Sequence, residues 1–388
     1  MNKLTLDLGE VQFYWRMSKG PAEKNSPVPA FLPFAFSFEP KLGLVIQQRN
    51  PLVADWLKHI YELDSNVGYL QEGHALAESY GSDFLNFMQR TFLNSASSGQ
   101  RIFEIGCGGG YLLSRLAAAG HDVAGIDPSP VAARVAKTAG FRMFPEFYPS
   151  ESFREEADLI FHYDVLEHVD DPVLFLRAHH RNLRDAGHIV VAVPDCTEGI
   201  ARGDISMLIH EHLNYFDLES LRATVSAAGF VPLSVERSRY GNVLYCVAVR
   251  ASGSRQAEDA SPIAVEKFTG FVRKAERARA CFRDFVGPAL EDPRADVSLY
   301  VPLRLIPYLC ALKRRDGFRF FDDDPGIRGK YFDGFPVPVE GFDDFVRRPP
   351  THAIIGSFAF ADVIRRRISE NVGRPVEIMT LRDIASDD

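Results

Sequence analysis

A glycine-rich segment is the first part of the chain whose residue types and spacing could do chemistry. Residues 103–111 read Phe-Glu-Ile-Gly-Cys-Gly-Gly-Gly-Tyr and end a short apolar run. Glycines at the end of a strand let a ligand approach the backbone closely and permit conformations that a Cβ would forbid. Glu104 stands two positions before Gly106, and a carboxylate placed there can form a charge-assisted hydrogen bond with an ammonium group. The segment therefore suits a ligand that approaches the backbone closely and offers a cationic group to Glu104.

A dinucleotide-binding fingerprint is the competing interpretation of the same segment. That fingerprint requires G-x-G-x-x-G, so that a pyrophosphate can lie at a helix N-terminus. Counted from Gly106 and Gly108, the third glycine position is occupied by Tyr111. The pattern therefore disfavours a nicotinamide dehydrogenase.

Two later apolar runs also end in acidic residues. Asp127 and Pro128 close the second run, and a carboxylate at this spacing suits the diol of a ribose. The other run ends in Tyr163 and Asp164, with His168 just beyond. Because open α/β sheets bind ligands outside the carboxyl ends of their strands, we expect these side chains at one ligand-binding face. The alternative for His168 is a buried histidine that caps the next helix.

Residues 209–216 read Ile-His-Glu-His-Leu-Asn-Tyr-Phe and place two histidines around a glutamate. A zinc helix uses H-E-x-x-H, in which a spacing of four aligns both ligands. His210 and His212 are only two apart, so they diverge on a helix, and on a strand they leave a site one ligand short. We expect no metal from this pair. The segment could also be only the cap region of a helix that starts near Asp217.

The elements that must position these residues alternate between strands and helices from about residue 100 to 250. Such alternation predicts a mostly parallel sheet covered by helices. Residues 232–238 and 243–250 lack a helix between them, so we expect an antiparallel edge pair joined through Tyr240, Gly241 and Asn242. The predicted parallel strands are 101–106, 121–127, 158–165 and 188–194, and the predicted helices are Tyr111 to Ala119, Pro130 to Ala139, Pro172 to Asp185 and 218–229.

The flanking regions predict two further units. The N-terminal region is rich in Pro and Phe without a sustained period and is interpreted as a loop-rich cap, with short helices between Asp55 and Phe92. An amphipathic helix from Val265 to Phe285 opens a second, smaller α/β unit. The predicted domains are a cap at 1–95, a core at 96–250, a linker at 251–262 and the second α/β unit at 263–388.

Composition restricts the class of protein. The chain has 388 residues, of which 46% are hydrophobic and 25% charged, values that exclude disordered, collagen-like and coiled-coil proteins. A net charge of −8 disfavours nucleic acid and anionic membranes as partners. The five cysteines stand singly, so neither a disulfide framework nor a thiolate zinc site is expected. Without a signal-peptide pattern or a long apolar stretch, we expect a cytoplasmic protein with a small-molecule partner.

The spacing of the glycine-rich segment resembles motif I of the class I S-adenosylmethionine-dependent methyltransferases. This resemblance implies a Rossmann-like fold and S-adenosylmethionine as the cofactor. It also implies that the 145–148 loop contacts the adenine and that Asp127 and Pro128 lie at the ribose. The other cofactor-binding residues that it implies are Glu104, Gly106, Gly108 and Gly110 at the amino-acid end, and Tyr163 and Asp164 beneath the methionine.

The segment around His212 is similar to that of the deoxysugar C-methyltransferases of antibiotic and polysaccharide biosynthesis. The resemblance implies that His212 removes a proton beside a keto group, with Glu211 orienting it or tuning its basicity, and that His168 faces the acceptor. Residues 320–339 match the second, Rossmann-like domain of those enzymes. Its first strand has no glycine, so we expect this domain to shape the substrate site rather than to bind a second cofactor.

The chain departs from this family at three places. Family members carry a four-cysteine zinc module near the N-terminus, but no cysteine precedes Cys107, so no zinc is expected; the strand at 42–45 persists without it. An acceptor-contacting tyrosine of the family is Ile209 here, which removes one phenolic hydroxyl. The tyrosine-rich segment ahead of the core is only loosely similar, and Tyr69 is either a pocket hydroxyl or a packing residue.

The expected activity is methyl transfer to a small molecule, with a nucleotide-linked keto-deoxysugar as the favoured acceptor. Methylation of a sugar or natural-product hydroxyl is the alternative, since one base serves either acceptor. A non-catalytic scaffold is a third interpretation, which the presence of Glu104, Asp127, Glu211 and His212 opposes. The oligomeric state is not predicted.

Overall fold

The computed structural model describes residues 4–13, 17–20, 28–63, 75–93, 99–251, 262–312, 314 and 316–385. Tyr69 and residues 252–261 of the predicted linker lie outside this part of the chain. Within it, no helix combines the length and the apolar character needed to cross a membrane.

The N-terminal region contains a sheet, so the prediction of a loop-rich cap was wrong. In the third strand every second residue, including Leu32, Phe34 and Phe36, is buried, which is the period of a strand. Pro33 made the segment look unlike a strand in the sequence. In the structure Pro33 lies opposite Glu10, beside a register shift in the first strand, which is a position where a sheet tolerates proline. The elements are β1 (Leu6–Gln12), β2 (Met17–Ser18), β3 (Phe31–Glu39), β4 (Leu44–Gln47), α1 (Pro51–Leu63) and α2 (Ala75–Met88), followed by a π-helical turn at Gln89–Leu93.

The central region is a seven-stranded sheet of order β11-β12-β9-β8-β5-β6-β7. Strands β9, β8, β5, β6 and β7 are parallel, while β12 runs antiparallel to both β9 and β11. This confirms the α/β, Rossmann-like fold and the antiparallel edge pair. The elements are β5 (Arg101–Ile105), α3 (Tyr111–Ala118), β6 (Asp122–Ile126), α4 (Pro130–Val135), β7 (Arg142–Phe144), β8 (Ala157–Tyr163), α5 (Pro172–Ala178), β9 (Leu183–Pro194), α6 (Thr197–Arg202), β10 (Asn214–Tyr215), α7 (Leu218–Ala227), β11 (Phe230–Arg237) and β12 (Val243–Arg250).

Two helices are shorter than predicted. Helix α5 ends at Ala178 rather than at Asp185, because the Asn182 side chain donates hydrogen bonds to the carbonyls of Phe153 and Glu155 at 3.2 and 3.0 Å. These bonds fix the turn that leads into β9. Helix α4 ends at Val135 rather than at Ala139, and the next glycine, Gly140, has a φ of +74°.

The C-terminal region is a second α/β unit with a parallel sheet of order β16-β14-β13-β17-β18. Its first helix extends beyond the predicted bounds of Val265 and Phe285 at both ends. The elements are α8 (Pro262–Glu291), β13 (Val297–Tyr300), α9 (Pro302–Leu305), β14 (Phe318–Phe321), β15 (Tyr331–Phe332), β16 (Val339–Glu340), α10 (Phe342–Arg347), β17 (His352–Ile355), α11 (Ala361–Asn371), β18 (Glu377–Thr380) and α12 (Leu381–Ile384).

The N-terminal sheet holds the chain just after His212. Its order is β1-β3-β4-β10, and β10 pairs antiparallel with β4, so that Asn214 faces Ile46 and Tyr215 faces Val45. Aromatic residues of this sheet also pack on α8, as where Phe36 contacts Phe271 with ring centroids 5.2 Å apart. The segment between α6 and α7 is therefore held by the N-terminal sheet as well as by the central one.

Candidate active site

A cleft of about 1150 Å³ lies at the carboxyl ends of β5, β6 and β8. This is where an open parallel sheet binds its ligand. Residues from the predicted glycine loop, from the ends of β6 and β8, from the 147–149 loop and from the turn before β10 line it. The predicted site residues at its wall are Glu104, Gly106, Gly108, Asp127, Pro128, Tyr163, Asp164, His168, Glu211 and His212.

Glu104 lies at the end of β5 and is only 3% exposed. One of its carboxylate oxygens, Oε2, is buried and has no hydrogen-bond partner among the described residues. Burial, and then the nearby charge of Asp127, raise the pKa of this carboxyl well above its usual range, although the Leu113 backbone N–H opposes the shift by donating to it. A cationic ligand group would satisfy the free oxygen, which is what an amino-acid ammonium provides.

The glycines of the loop have different roles. Gly106 and Gly108 lie at the cleft wall with φ values of +74° and +47°, in the left-handed region that favours glycine. Gly110, with a φ of +73°, is the N-cap of α3, and a Cβ there would lie 2.9 Å from Cζ of Phe141. Gly110 therefore shapes the entry into the helix, while Gly106 and Gly108 form the cradle.

Gly106→Ala should destabilise the protein and weaken cofactor binding. A Cβ at this position would lie 2.4 Å from Cγ2 of Val165, so the backbone penalty of about 1–2 kcal/mol is joined by an overpacking cost of about 1–3 kcal/mol. Denaturant unfolding and calorimetry with S-adenosylmethionine measure the two effects.

Gly140→Ala is the matched control for that change. Gly140 has the same φ of +74°, but a Cβ there would meet no atom within 4 Å. We expect the free energy of unfolding of this variant to fall only by the backbone penalty of about 1–2 kcal/mol. Its cofactor affinity should not change. Equal losses in the two variants would show that contact with Val165 does not matter.

Asp127 holds the loop together from the end of β6. Its Oδ2 accepts a hydrogen bond from the Gly108 backbone N–H at 2.8 Å, and its Oδ1 accepts one from the Ser129 N–H, also at 2.8 Å. The Ser129 hydroxyl in turn caps α4 by accepting from Ala132 N–H at 3.1 Å. The carboxylate predicted for a ribose therefore lies in the cleft and has a structural role there as well.

The 147–149 loop forms one end of the cleft. Phe147, Tyr148 and Pro149 line it, and Phe147 is 72% exposed. The Tyr148 hydroxyl donates to Oδ1 of Asn182 at 3.1 Å, which anchors the loop to the central sheet. An exposed aromatic ring beside the cleft can stack on a planar ligand group; the adenine contact of this loop stays a prediction.

The segment after β8 brings two carboxyl groups together. Asp164 has a φ of +54°, which is uncommon for a residue other than glycine, and its side chain is open to the cleft. Glu167, in the 3₁₀ turn Leu166–His168, is 1% exposed, and neither of its oxygens has a hydrogen-bond partner among the described residues. Loss of solvation raises the pKa of both groups, and the charge of Asp164 adds to the shift of Glu167.

His168 is held by the backbone beside Glu211. Its Nδ1 lies 2.9 Å from the Glu211 carbonyl oxygen, which can only accept, so Nδ1 carries the proton and Nε2 is left as an acceptor. That Nε2 lies 3.8 Å from Oε1 of Glu167. The rings of His168 and His212 meet edge to face, with centroids 4.9 Å apart.

A short turn fixes His212. Its backbone N–H donates to the Ile209 carbonyl at 2.9 Å, and the Tyr215 hydroxyl donates to that same carbonyl at 3.1 Å. Burial, and then His168, lower the pKa of His212 to about 3. The ring is therefore uncharged near neutral pH and has a free lone pair.

His210 takes no part in this group. It is 3% exposed, and its ring contacts those of Phe13 and Phe34. Its Nε2 lies 3.3 Å from the Leu32 carbonyl oxygen. The two histidines therefore point to different environments, the N-terminal sheet and the cleft. The sequence analysis expected the two side chains to diverge on a helix, because a spacing of two does not align them.

Two residues of the site were not predicted from the sequence. Glu167 directly precedes His168 in the sequence, but nothing in the sequence pattern shows that its carboxylate would be buried without a hydrogen-bond partner. Tyr215 comes from β10, and its hydroxyl supports the turn at Ile209. An aromatic residue six positions after Ile209 was the available signal, yet its contact depends on how the turn folds.

The residues of the cleft fit S-adenosylmethionine. The buried oxygen of Glu104 that lacks a partner among the described residues suits the ammonium group, and Gly106 and Gly108 present left-handed backbone without side chains at the cleft wall. Carboxyl groups dominate the wall, and no Lys or Arg is among the described residues that line it. This balance of charge favours a cationic sulfonium compound.

Comparison with known proteins finds relatives for part of the chain. Residues 76–235 match the model of a family described as a methyltransferase domain. A mitochondrial ubiquinone biosynthesis O-methyltransferase from Schizosaccharomyces pombe is 29% identical over 161 residues, which are 39% of this chain and 59% of that enzyme. The ubiquinone biosynthesis O-methyltransferase of Azorhizobium caulinodans is 38% identical over 101 residues, 24% of this chain and 40% of that enzyme. The matching part of the chain thus spans only about half of these relatives.

Two solved structures align with parts of the chain. The 1,6-didemethyltoxoflavin-N1-methyltransferase of Burkholderia thailandensis, with bound 1,6-didemethyltoxoflavin and S-adenosylhomocysteine, aligns with a TM-score of 0.40 and 15% identity, over 60% of this chain and all of that one. An N-methyltransferase from Bradyrhizobium japonicum in complex with S-adenosylhomocysteine aligns with a TM-score of 0.39 and 14% identity, over 50% and 97% of the two chains. On the family match, residues 76–235 of this chain form a methyltransferase domain, and the residues of its cleft fit S-adenosylmethionine as the cofactor.

Proposed function

We propose that the protein transfers the methyl group of S-adenosylmethionine to a small-molecule acceptor from which His212 removes a proton. One observation carries the proposal: an uncharged histidine with a free lone pair lies at the wall of the cofactor cleft. When bound, S-adenosylmethionine supplies an electrophilic methyl group. The residues of the chain orient the two reactants and take up the proton, so that positioning accounts for much of the rate.

His168 and Glu211 act as positioning residues in this proposal. The Glu211 carbonyl fixes the tautomer and the ring plane of His168, and the His168 ring packs edge to face against His212. Burial raises the pKa of the Glu211 carboxyl, so this side chain is a weaker acid than an exposed glutamate. The contact that supports the arrangement comes from the Glu211 backbone rather than from its carboxylate.

We propose carbon rather than oxygen as the atom that is methylated. The resemblance around His212 to enzymes that methylate keto sugars on carbon supports this choice, and the Rossmann-like C-terminal unit matches their second domain. Proton removal beside a keto group gives an enolate, whose carbon then attacks the methyl group.

Among the described residues, the wall carries only carboxyl groups as charged side chains, so a phosphate on a nucleotide-linked acceptor would have to lie outside this cleft.

O-methylation is the second candidate, because the two relatives named above are O-methyltransferases. The same histidine would then take the proton of a hydroxyl group. The two reactions differ in where the acceptor loses its proton, and a single experiment can separate them.

The test uses purified protein, labelled S-adenosylmethionine and a panel of nucleotide-linked 4-keto sugars. We expect label in a new carbon–methyl bond, identified by NMR. In deuterated water with S-adenosylhomocysteine in place of the cofactor, we also expect the proton beside the keto group to exchange without methyl transfer. Label found only on oxygen, without exchange at carbon, would rule out C-methylation.

A non-catalytic scaffold is tested by calorimetry. An enzyme of this kind should bind both S-adenosylmethionine and S-adenosylhomocysteine. Absence of heat with either compound would favour the scaffold over both enzymatic candidates.

A further inference from the structure

Three possible metal ligands meet at the cleft, outside the glycine loop. A carboxylate oxygen of Glu167 and one ring nitrogen each of His168 and His212 all lie within 4.8 Å of one another. Two imidazoles and one carboxylate form the ligand set of several catalytic zinc centres and of the facial triad that binds divalent iron. These residues come from two separate segments, so their meeting is a product of the fold.

Glu167 gives independent support for a ligand at this place. Its side chain is 1% exposed, and neither carboxylate oxygen has a hydrogen-bond partner among the described residues. A buried carboxyl without a partner is costly, and a divalent cation would satisfy it. No Lys or Arg is among the described residues of the cleft wall, so no fixed cation there competes for the position.

The hydrogen bond of His168 suits coordination. The Nδ1–H of His168 is engaged by the Glu211 carbonyl, which leaves Nε2 as the donor atom; a second hydrogen bond of this kind usually orients a metal-bound histidine. The Nε2 of His168 and Oε1 of Glu167 are 3.8 Å apart, and ligand atoms of a tetrahedral zinc ion lie roughly 3.3 Å apart given bonds of about 2.0–2.1 Å.

We propose that Glu167, His168 and His212 bind a divalent transition-metal ion of the zinc or cobalt type. The two nitrogen donors favour such an ion over magnesium, which prefers oxygen ligands. Three protein ligands leave a position for water or for an oxygen atom of the acceptor. Because His212 uses the same lone pair for a proton and for a metal, the ion blocks proton removal, and Zn²⁺ inhibits methyl transfer; this consequence rests on the proposed function.

The direct test measures binding of Co²⁺ to the full chain by its visible absorption and of Zn²⁺ by competition with a chromophoric chelator. We expect one ion per chain. Glu167→Gln and His212→Asn each remove a proposed ligand and should weaken binding by at least about 10-fold to 100-fold, the loss that follows from removing only an outer-shell partner. His121→Asn is the matched control, because His121 precedes the amino end of β6, whereas the cleft lies at the carboxyl ends of the strands, and this variant should leave the affinity unchanged.

Circular dichroism separates loss of the site from loss of the fold. Glu167→Gln keeps the shape of the side chain, so its far-ultraviolet spectrum should match that of the wild type. Equal affinity of wild type and Glu167→Gln for Co²⁺, or no binding at all, overturns the metal site and leaves the proposed function untouched. Binding to these ligands with stimulation of methyl transfer by Zn²⁺ supports the metal site and overturns the assignment of His212 as the proton acceptor.

Discussion

His212→Ala should reduce kcat by about 10²-fold to 10⁴-fold, the range that general-base catalysis contributes. The reason is the uncharged ring at the wall of the cleft, which the Ile209 turn and the His168 ring hold in place. The cofactor-binding residues lie on other segments, so the affinity for S-adenosylmethionine should stay close to that of the wild type. Steady-state kinetics with the accepted keto sugar, and calorimetry with the cofactor, measure the two quantities.

Two controls sharpen that experiment. His121→Ala removes a histidine at the amino end of β6, away from the cleft at the carboxyl ends of the strands, and should leave kcat unchanged. Imidazole added to His212→Ala should restore part of the activity, because it can occupy the space of the missing ring and accept the proton; a merely structural loss would not respond. A fully active His212→Ala enzyme would remove this residue from the mechanism.

The central fold follows from features that are local in the sequence. Strands β5, β6, β8 and β9 are apolar runs bounded by glycine, acidic or proline residues, and parallel strands that are buried on both faces read this way. The N-terminal sheet was missed because Pro33 interrupts an otherwise alternating strand, and because its fourth member, β10, lies about 170 residues away in the chain. A two-residue strand of this kind has no pattern of its own.

The residues of the site likewise fall into two groups, those predicted from local sequence and those brought together only by the fold. Glu104, Gly106 and Asp127 act through short-range spacing, since each stands at the end of a predicted strand, and the structure places all three at the cleft. The pairing of His168 with His212 joins residues 44 positions apart, and it depends on a backbone carbonyl that any residue type could have supplied. The burial of Glu167 is likewise a property of the packed fold, which sequence periodicity does not report.

Glu104→Gln should weaken S-adenosylmethionine binding by about 30-fold or more, because removing one partner of a buried charged pair costs about 2–5 kcal/mol. The carboxyl has one free buried oxygen, and its pKa is raised well above the usual range by burial and then by Asp127. The ammonium group of the cofactor favours the ionised form and lowers that pKa. The complex therefore holds fewer protons than the free protein, so binding releases a proton and affinity rises with pH up to the raised pKa of Glu104.

Calorimetry in two buffers with different heats of ionisation measures this proton directly. At about pH 6 the cofactor amino group, with an ordinary pKa of about 7.7–8.0, is already protonated and adds no proton exchange of its own. The observed enthalpy should depend on the buffer for the wild type and not for Glu104→Gln, which keeps the shape of the side chain but cannot ionise. A buffer-independent enthalpy in the wild type would mean that Glu104 is already ionised before the cofactor binds. Because the variant no longer carries an acid whose ionisation is opposed by burial, its free energy of unfolding without cofactor should fall less with rising pH than that of the wild type.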